Sequence, residues 1–249
     1  MPDQNTNTPA EIAASSGQTD RGLVRRVNED AFLDLPQKGL WVVADGMGGH
    51  DAGDVASRMI VETLRSTPLE GTLATRMDRI EDAVEQVNQR LLSRSYNEEG
   101  KKHIIGSTIA VLVAESRYLG AVLWAGDSRV YRLRSNTLVQ LSTDHSQVQS
   151  YVRQGIISQE QARTHPERNI ITRAVGSQED LYLEADVCEF SSGDRYLLCS
   201  DGLTRHLEDE EISRLLAEGT PQAACRTLID LTLERGAKDN VTVVVVEIN

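Results

Sequence analysis

Carboxylates punctuate the apolar runs of this chain. GLWVVA stops at Asp45, AVLWAG at Asp127 and YLLCS at Asp201. Two further runs start just after acids: AFLDL follows Glu29-Asp30, and NVTVVVVEI follows Asp239. Such runs read as strands, and short connections favour antiparallel pairing. Strands of opposite sense would bring these ends to one rim of a core. One aspartate at a strand end suits a turn or a helix cap. Several together repel one another unless a cation neutralises them, which points to a metal site. Oxygen donors without cysteines or paired histidines suit magnesium or manganese, and calcium less specifically, whereas zinc prefers nitrogen or sulfur. His50, His103, His145, His165 and His206 lie too far apart for a HExxH-like pair.

The elements that must position these acids follow from periodicity. Gln18 to Leu35 reads as two short β-like segments around Asn28-Glu29-Asp30, and Gly39 to Ala44 as a buried strand. The glycines of Asp45-Gly46-Met47-Gly48-Gly49-His50 mark a tight backbone path. Helices are predicted from Ala52 to Arg65 and from Ala74 to Arg94, the second on the spacing of Met77, Ile80, Val84, Val87 and Leu91. A meander of strands is expected over Ile104 to Ala114, Tyr118 to Ala125, Ser128 to Leu133 and Leu138 to Leu141. Asp144 to Arg173 is polar and partly helical, a long surface excursion. Strands resume at Leu181 to Val187 and Asp194 to Ser200. Helices follow at Glu208 to Ala217 and Pro221 to Arg235, and a last strand at Asn240 to Ile248. This order suggests an α+β layered sheet core with helices packed outside. Residues 1–15 read as a flexible lead-in and 16–249 as one domain.

The formal net charge of -12 disfavours nucleic acid and anionic membranes as partners. No apolar run is long enough for a membrane span, and the N-terminal residues lack the features of a signal peptide. A cytoplasmic location is therefore expected. Aromatics are only 4% of residues, so the core must be aliphatic. Cys188, Cys199 and Cys225 are widely spaced and form no CxxC, which fits a reducing compartment.

The pieces GLVRRVNEDAF, VVADGMGGHDAGDVAS, GSTIAVL, WAGDSRVYRLR, TDHS, RTHPERNIITRAVG, DRYLLCSDGLT and KDNVTVVVV occur in one order along the chain. In these pieces the sequence resembles the metal-dependent type 2C serine/threonine protein phosphatases, in their compact bacterial form. The resemblance implies a layered α-β-β-α fold, a central antiparallel β-sandwich flanked by helix pairs. It implies two central Mn2+ or Mg2+ ions, and a third beside them. Asp45 would bridge the central pair, the Gly46 carbonyl would bind one ion, and Asp201 and Asp239 the other. Asp127 with Asp201 matches a third-metal site, Arg25 a phosphate-binding arginine, and Glu29 and Asp30 would hold metal-bound waters. Met47 stands where many relatives carry a histidine that protonates the leaving group, leaving His50 or a metal-bound water for that role. The segment 144–173 resembles a flap, with Arg153, Arg163, Arg168 and Arg173 as substrate contacts or as solvated charges.

The implied reaction is hydrolysis of phosphoserine and phosphothreonine in proteins by a water bridging two divalent metals. The implied partners are phosphorylated proteins, among them a bacterial Ser/Thr kinase and its substrates. A catalytically dead phosphoprotein-binding relative would have lost metal acids, yet Asp45, Asp201 and Asp239 are present. A two-metal nuclease would need a basic face, which the charge opposes. Arg25 and Arg26 fall in one of the expected β-like segments, where alternation would let only one face the site, and Arg25 shares parity with Glu29.

Overall fold

The run VTVVVVEI is apolar at nearly every position because both of its faces are covered. The computed structural model describes residues 13–48, 52–95 and 105–249. Its strands are β1 (Ala13–Asp20), β2 (Asp30–Leu35), β3 (Leu40–Gly48), β4 (Ile105–Ser107), β5 (Ile109–Ser116), β6 (Leu119–Ala125), β7 (Arg129–Arg134), β8 (Thr137–Gln140), β9 (Glu184–Glu189), β10 (Arg195–Cys199) and β11 (Val241–Ile248). Its helices are α1 (Ala52–Ser66), α2 (Leu73–Arg94), α3 (Gln147–Arg153), α4 (Gln159–Thr164), α5 (Asp201–Thr204), α6 (Asp209–Ala217) and α7 (Pro221–Glu234). One sheet has the order β1-β11-β10-β7-β8, the other β2-β3-β5-β6-β9 with β4 paired to β3. Every pairing is antiparallel.

Alternation along the strands sorts side chains into three apolar layers. Trp41, Val43, Leu112, Val122, Tyr196, Val244 and Val246 fill the space between the sheets. Leu40, Val42, Val111 and Val113 face the other way, onto Ile60 and Leu64 of α1 and Ile80, Val87 and Leu91 of α2. On the far side Leu197, Val243 and Val245 meet Ile212 and Leu216 of α6 and Leu228 and Ile229 of α7. The architecture is thus α-β-β-α, as the resemblance implied. Helix starts are set locally: Thr72 and Thr220 cap α2 and α7 through their side chains, and Pro221 opens α7. Among the described residues no helix is long and apolar enough to cross a membrane.

Several local expectations need correction. Residues 21–29 form an irregular loop, not a β-like segment, so the parity assigned to Arg25, Arg26 and Glu29 does not exist. Its turns are fixed instead by side chains: Asn240 Nδ2 donates to the carbonyls of Arg21 and Val27, and its Oδ1 accepts from the Glu29 amide. The strand expected over Ile104 to Ala114 breaks at Thr108, whose amide donates to the Asp45 carbonyl. The strand expected from Leu181 starts at Glu184. Ala13 to Ser15, counted in the flexible lead-in, pair with Ile248 to Val246 in β1. The rest of that lead-in, and His50 and His103, lie outside the described residues. The excursion 144–173 carries α3 and α4, and its two ends are joined by a bridge between Ser146 and Ile171.

Candidate metal centre

The acids reach one rim because of strand polarity. β2 starts where β3 passes, so Asp30 and Asp45 lie directly opposite each other. Asp127 occupies the turn that carries the chain from β6 in one sheet to β7 in the other. Asp201 opens α5 straight after β10, and Asp239 precedes its antiparallel neighbour β11. Both sheets therefore contribute acids to the same edge of the sandwich.

Close backbone approach shapes this edge. A Cβ on Gly46 would lie 2.1 Å from the Gly53 carbonyl, so only glycine lets the end of β3 pass the start of α1. Asp45 is gripped on its backbone: its amide donates to Thr108 Oγ1 at 3.1 Å, and its carbonyl accepts from the Thr108 amide at 2.8 Å and Ser107 Oγ at 3.0 Å. Glu29 uses Oε1 to accept from the Gly53 amide at 3.2 Å, which ties it to the same junction. Asp30 is buried, and its Oδ2 accepts from Ser200 Oγ at 2.8 Å and Thr242 Oγ1 at 2.7 Å.

The electrostatics are those of crowded anions. Burial pushes the Asp45 carboxyl well above the ordinary range, and Asp30, Asp201, Asp127 and Asp239 push it further. Burial, then Asp201 and Asp144, raise Asp127 to about 8 against the pull of Arg205 and Arg129. Asp30 rises to about 7 through burial, offset by its two hydroxyl donors. Asp201 rises to about 6, burial outweighing the nearby Arg205.

Two guanidinium groups lean over the acids. Arg25 forks onto Asp239, Nε to Oδ1 at 2.8 Å and Nη2 to Oδ2 at 2.8 Å. Arg205 donates to Asp239 Oδ2 at 3.0 Å and also to Asp201 Oδ2. Arg26 is exposed. With Asp201 and Asp239 drawn onto these arginines, no three acid, histidine or cysteine side chains among the described residues already surround one point. The donor set nonetheless fits hard cations. Asp127 Oδ1 and Asp30 Oδ1 are buried oxygens with no hydrogen-bond partner, and an unpaired buried carboxylate must either take up a proton or sit beside positive charge. Oxygen donors of this kind suit manganese or magnesium.

A cavity of about 520 Å³ opens from Asp127, Asp201 and Asp239 and runs under Ala162, Arg163 and Arg168 of the excursion. The arginines of the excursion differ in setting. Arg163 pairs with Glu208, Arg173 is largely sheltered beside Glu184, and Arg153 and Arg168 are exposed. Sequence reasoning missed Arg205, although its place four residues after Asp201, at the end of a short helix, was a usable signal. It also missed Asn240, the side chain that holds the Arg25 loop.

Comparisons with known proteins agree with one another. A family profile described as Protein phosphatase 2C matches residues 24–235. The chain is 36% identical over 238 residues to the serine/threonine phosphatase stp of Listeria monocytogenes, covering 92% of this chain and 94% of that protein. Its fold matches the structure of PppA, a key regulatory component of T6SS in Pseudomonas aeruginosa, with TM-score 0.87 and 42% identity over 96% of this chain and 98% of that one. It also matches the catalytic domain of the serine/threonine protein phosphatase PstP in complex with 2 manganese ions, with TM-score 0.83 and 33% identity over 95% of this chain and 98% of that one.

Proposed function

The chain belongs to the protein phosphatase 2C family and is a serine/threonine protein phosphatase, and from that premise we propose how its rim of acids performs the hydrolysis. The reading rests on one observation: Asp30, Asp45, Asp127, Asp201 and Asp239 share an edge over which Arg25 leans. Asp45 and the Gly46 carbonyl would hold one divalent ion, and Asp45, Asp201 and Asp239 the second. Asp127 with Asp201 would hold a third. Glu29 and Asp30 stand behind them as acceptors for ordered water. When bound, divalent ions make a water acidic enough to attack at neutral pH and offset the phosphoryl charge.

The protein's own groups do the rest. Arg25 presents a two-pronged fork that the Asp239 carboxylate occupies, and released from that carboxylate the same fork can take two phosphate oxygens. Attack comes from water and not from a cysteine. Burial raises Cys188 to about 11 and Cys199 and Cys225 to about 12, so none is a thiolate at neutral pH. The excursion roofs the cavity beside the acids and supplies the wall that a phosphopeptide must cross. Physiological substrates would be phosphorylated proteins in the cytoplasm, including a Ser/Thr kinase and its targets.

The test is turnover of a phosphothreonine peptide with manganese, in the wild type and in Asp45→Asn and Asp239→Asn. Each variant removes a charged ligand and should lose turnover while keeping its circular dichroism spectrum. Full turnover in either at saturating manganese would refute the assignment.

A further inference from the structure

His145 is buried at 6% exposure and lies outside the set of acids just described, yet it contacts both the turn before Asp127 and the far end of the excursion. Its Nδ1 accepts from the Gly126 amide at 3.1 Å, and its backbone amide donates to the Gly126 carbonyl at 2.9 Å. Gly126 is thus held on both sides, one residue before Asp127. That turn is demanding. Gly126 has φ of 118°, and a Cβ there would meet Thr108 at 2.6 Å. Trp124, stacked on the imidazole with an interplanar angle of 13°, fixes the ring plane.

The other side of the ring faces Glu184, the first residue of β9, and Arg173 at the end of the excursion. Nε2 lies 3.2 Å from Glu184 Oε2 and 3.0 Å from Arg173 Nη1. The tautomer follows from the partners. Gly126 can only donate, so Nδ1 is bare and Nε2 carries the proton. That proton goes to Glu184, whose carboxylate also attracts Arg173 at 3.6 Å. The His145 carbonyl accepts from Thr172 at 2.8 Å, so both ends of the excursion close on this one residue. Arg173 in turn lies over the Tyr182 ring at 3.9 Å.

We propose that His145 is a positioning residue whose two ring nitrogens join the excursion roofing the cavity to the turn that aims Asp127. Through Nδ1 it sets Asp127, and through Nε2, by way of Glu184 and its partner Arg173, it sets the end of the roof. The two arms can be cut separately. Asn places Oδ1 at the same bond distance from Cα as Nδ1, so His145→Asn keeps the Gly126 acceptor and loses the Glu184 arm. Gln places its Nε2 as the imidazole does, so His145→Gln keeps the donor to Glu184 and loses the Gly126 arm.

Hydrogen exchange and kinetics on a phosphothreonine peptide with manganese test this on the full chain. In His145→Asn, segment 146–173 should exchange faster while 124–130 stays protected, and the loss should fall mainly on KM, about tenfold. In His145→Gln, 124–130 should exchange faster and the loss should fall mainly on kcat, by a similar factor. The kcat effect rests on the role of Asp127 proposed above, and the exchange pattern does not. Asp127→Ala measures that role directly: an Asp127→Ala enzyme with full kcat would remove the role of Asp127 and leave the exchange pattern to judge the coupling. Indistinguishable exchange in the two His145 variants, with KM and kcat changing only as thermal stability does, would overturn the proposal and leave His145 a packing residue.

Discussion

Arg205→Ala should destabilise the metal-free protein and tighten its hold on manganese. The guanidinium bridges Asp201 and Asp239, two acids that otherwise repel each other. A charge-assisted hydrogen bond is worth about 1.5–3 kcal/mol when sheltered. The Arg205 side chain is 34% exposed, so water screens it and the two bonds together come to about 2 kcal/mol. For a protein of this size that is a fall of about 4–8 °C in melting temperature in chelator. A cation that needs the same carboxylates must displace the guanidinium. Removing Arg205 therefore lowers the apparent manganese Kd by the same free energy, about thirtyfold at most. Scanning calorimetry in chelator and titration calorimetry with manganese read the two halves. Arg205→Lys, which keeps the charge without the fork, should fall between. An Arg205→Ala protein that melts normally in chelator, or binds manganese more weakly, would refute the competition and make Arg205 a support for the metal-bound acids.

Asp201, Asp30 and Asp127 have folded-state pKa values raised to about 6, 7 and 8 from 3.8. Each binds its proton more tightly folded than unfolded, so metal-free stability should fall as pH rises through the window from about 4 to about 8. A melting temperature in chelator that climbs between about pH 5 and pH 8 would contradict this. Arg25→Ala and Arg25→Lys should each cut kcat/KM on a phosphopeptide strongly, since lysine lacks the fork, while Arg26→Ala should change it little. Asp127→Ala should keep the two strongest manganese sites by titration calorimetry and lose a weaker one; loss of all three would misplace Asp127.

The acids were legible because each marks the end of an apolar run, and a strand end is a place in space once pairing is antiparallel. Asp45 and Asp201, each followed by glycine, and Asp239, followed by Asn240, needed no more than that. The division of strands between two sheets was not legible. Val243 and Val244 are equally apolar, and only the fold assigns one to the helices and the other to the space between sheets. The arginine loop misled for a related reason. GLVRRV has the composition of a strand, but Asn240, more than two hundred residues later, takes up the carbonyls of Arg21 just before it and Val27 at its end and holds it irregular. Arg25 still reaches the acids, by a loop path and not by alternation. The strand break at Thr108 likewise depends on a partner remote in sequence, the Asp45 carbonyl. Local pattern carries what neighbours decide, and each of these was decided at long range.

The position of β11 between β1 and β10 bears on when this protein can act during its own synthesis. β1 must wait for a partner made far later: Thr19 meets Thr242 across 223 residues. Until the ribosome releases Asn240 to Ile248, β1 has no neighbour in its sheet, and Asp239 has no strand to hold it at the rim. At about 5–20 residues per second, the earlier acids are exposed for many seconds before that. A nascent chain carries most of the rim but not the whole of it. Phosphatase activity should consequently switch on only once β11 has emerged and paired, and not build up gradually as the earlier acids appear.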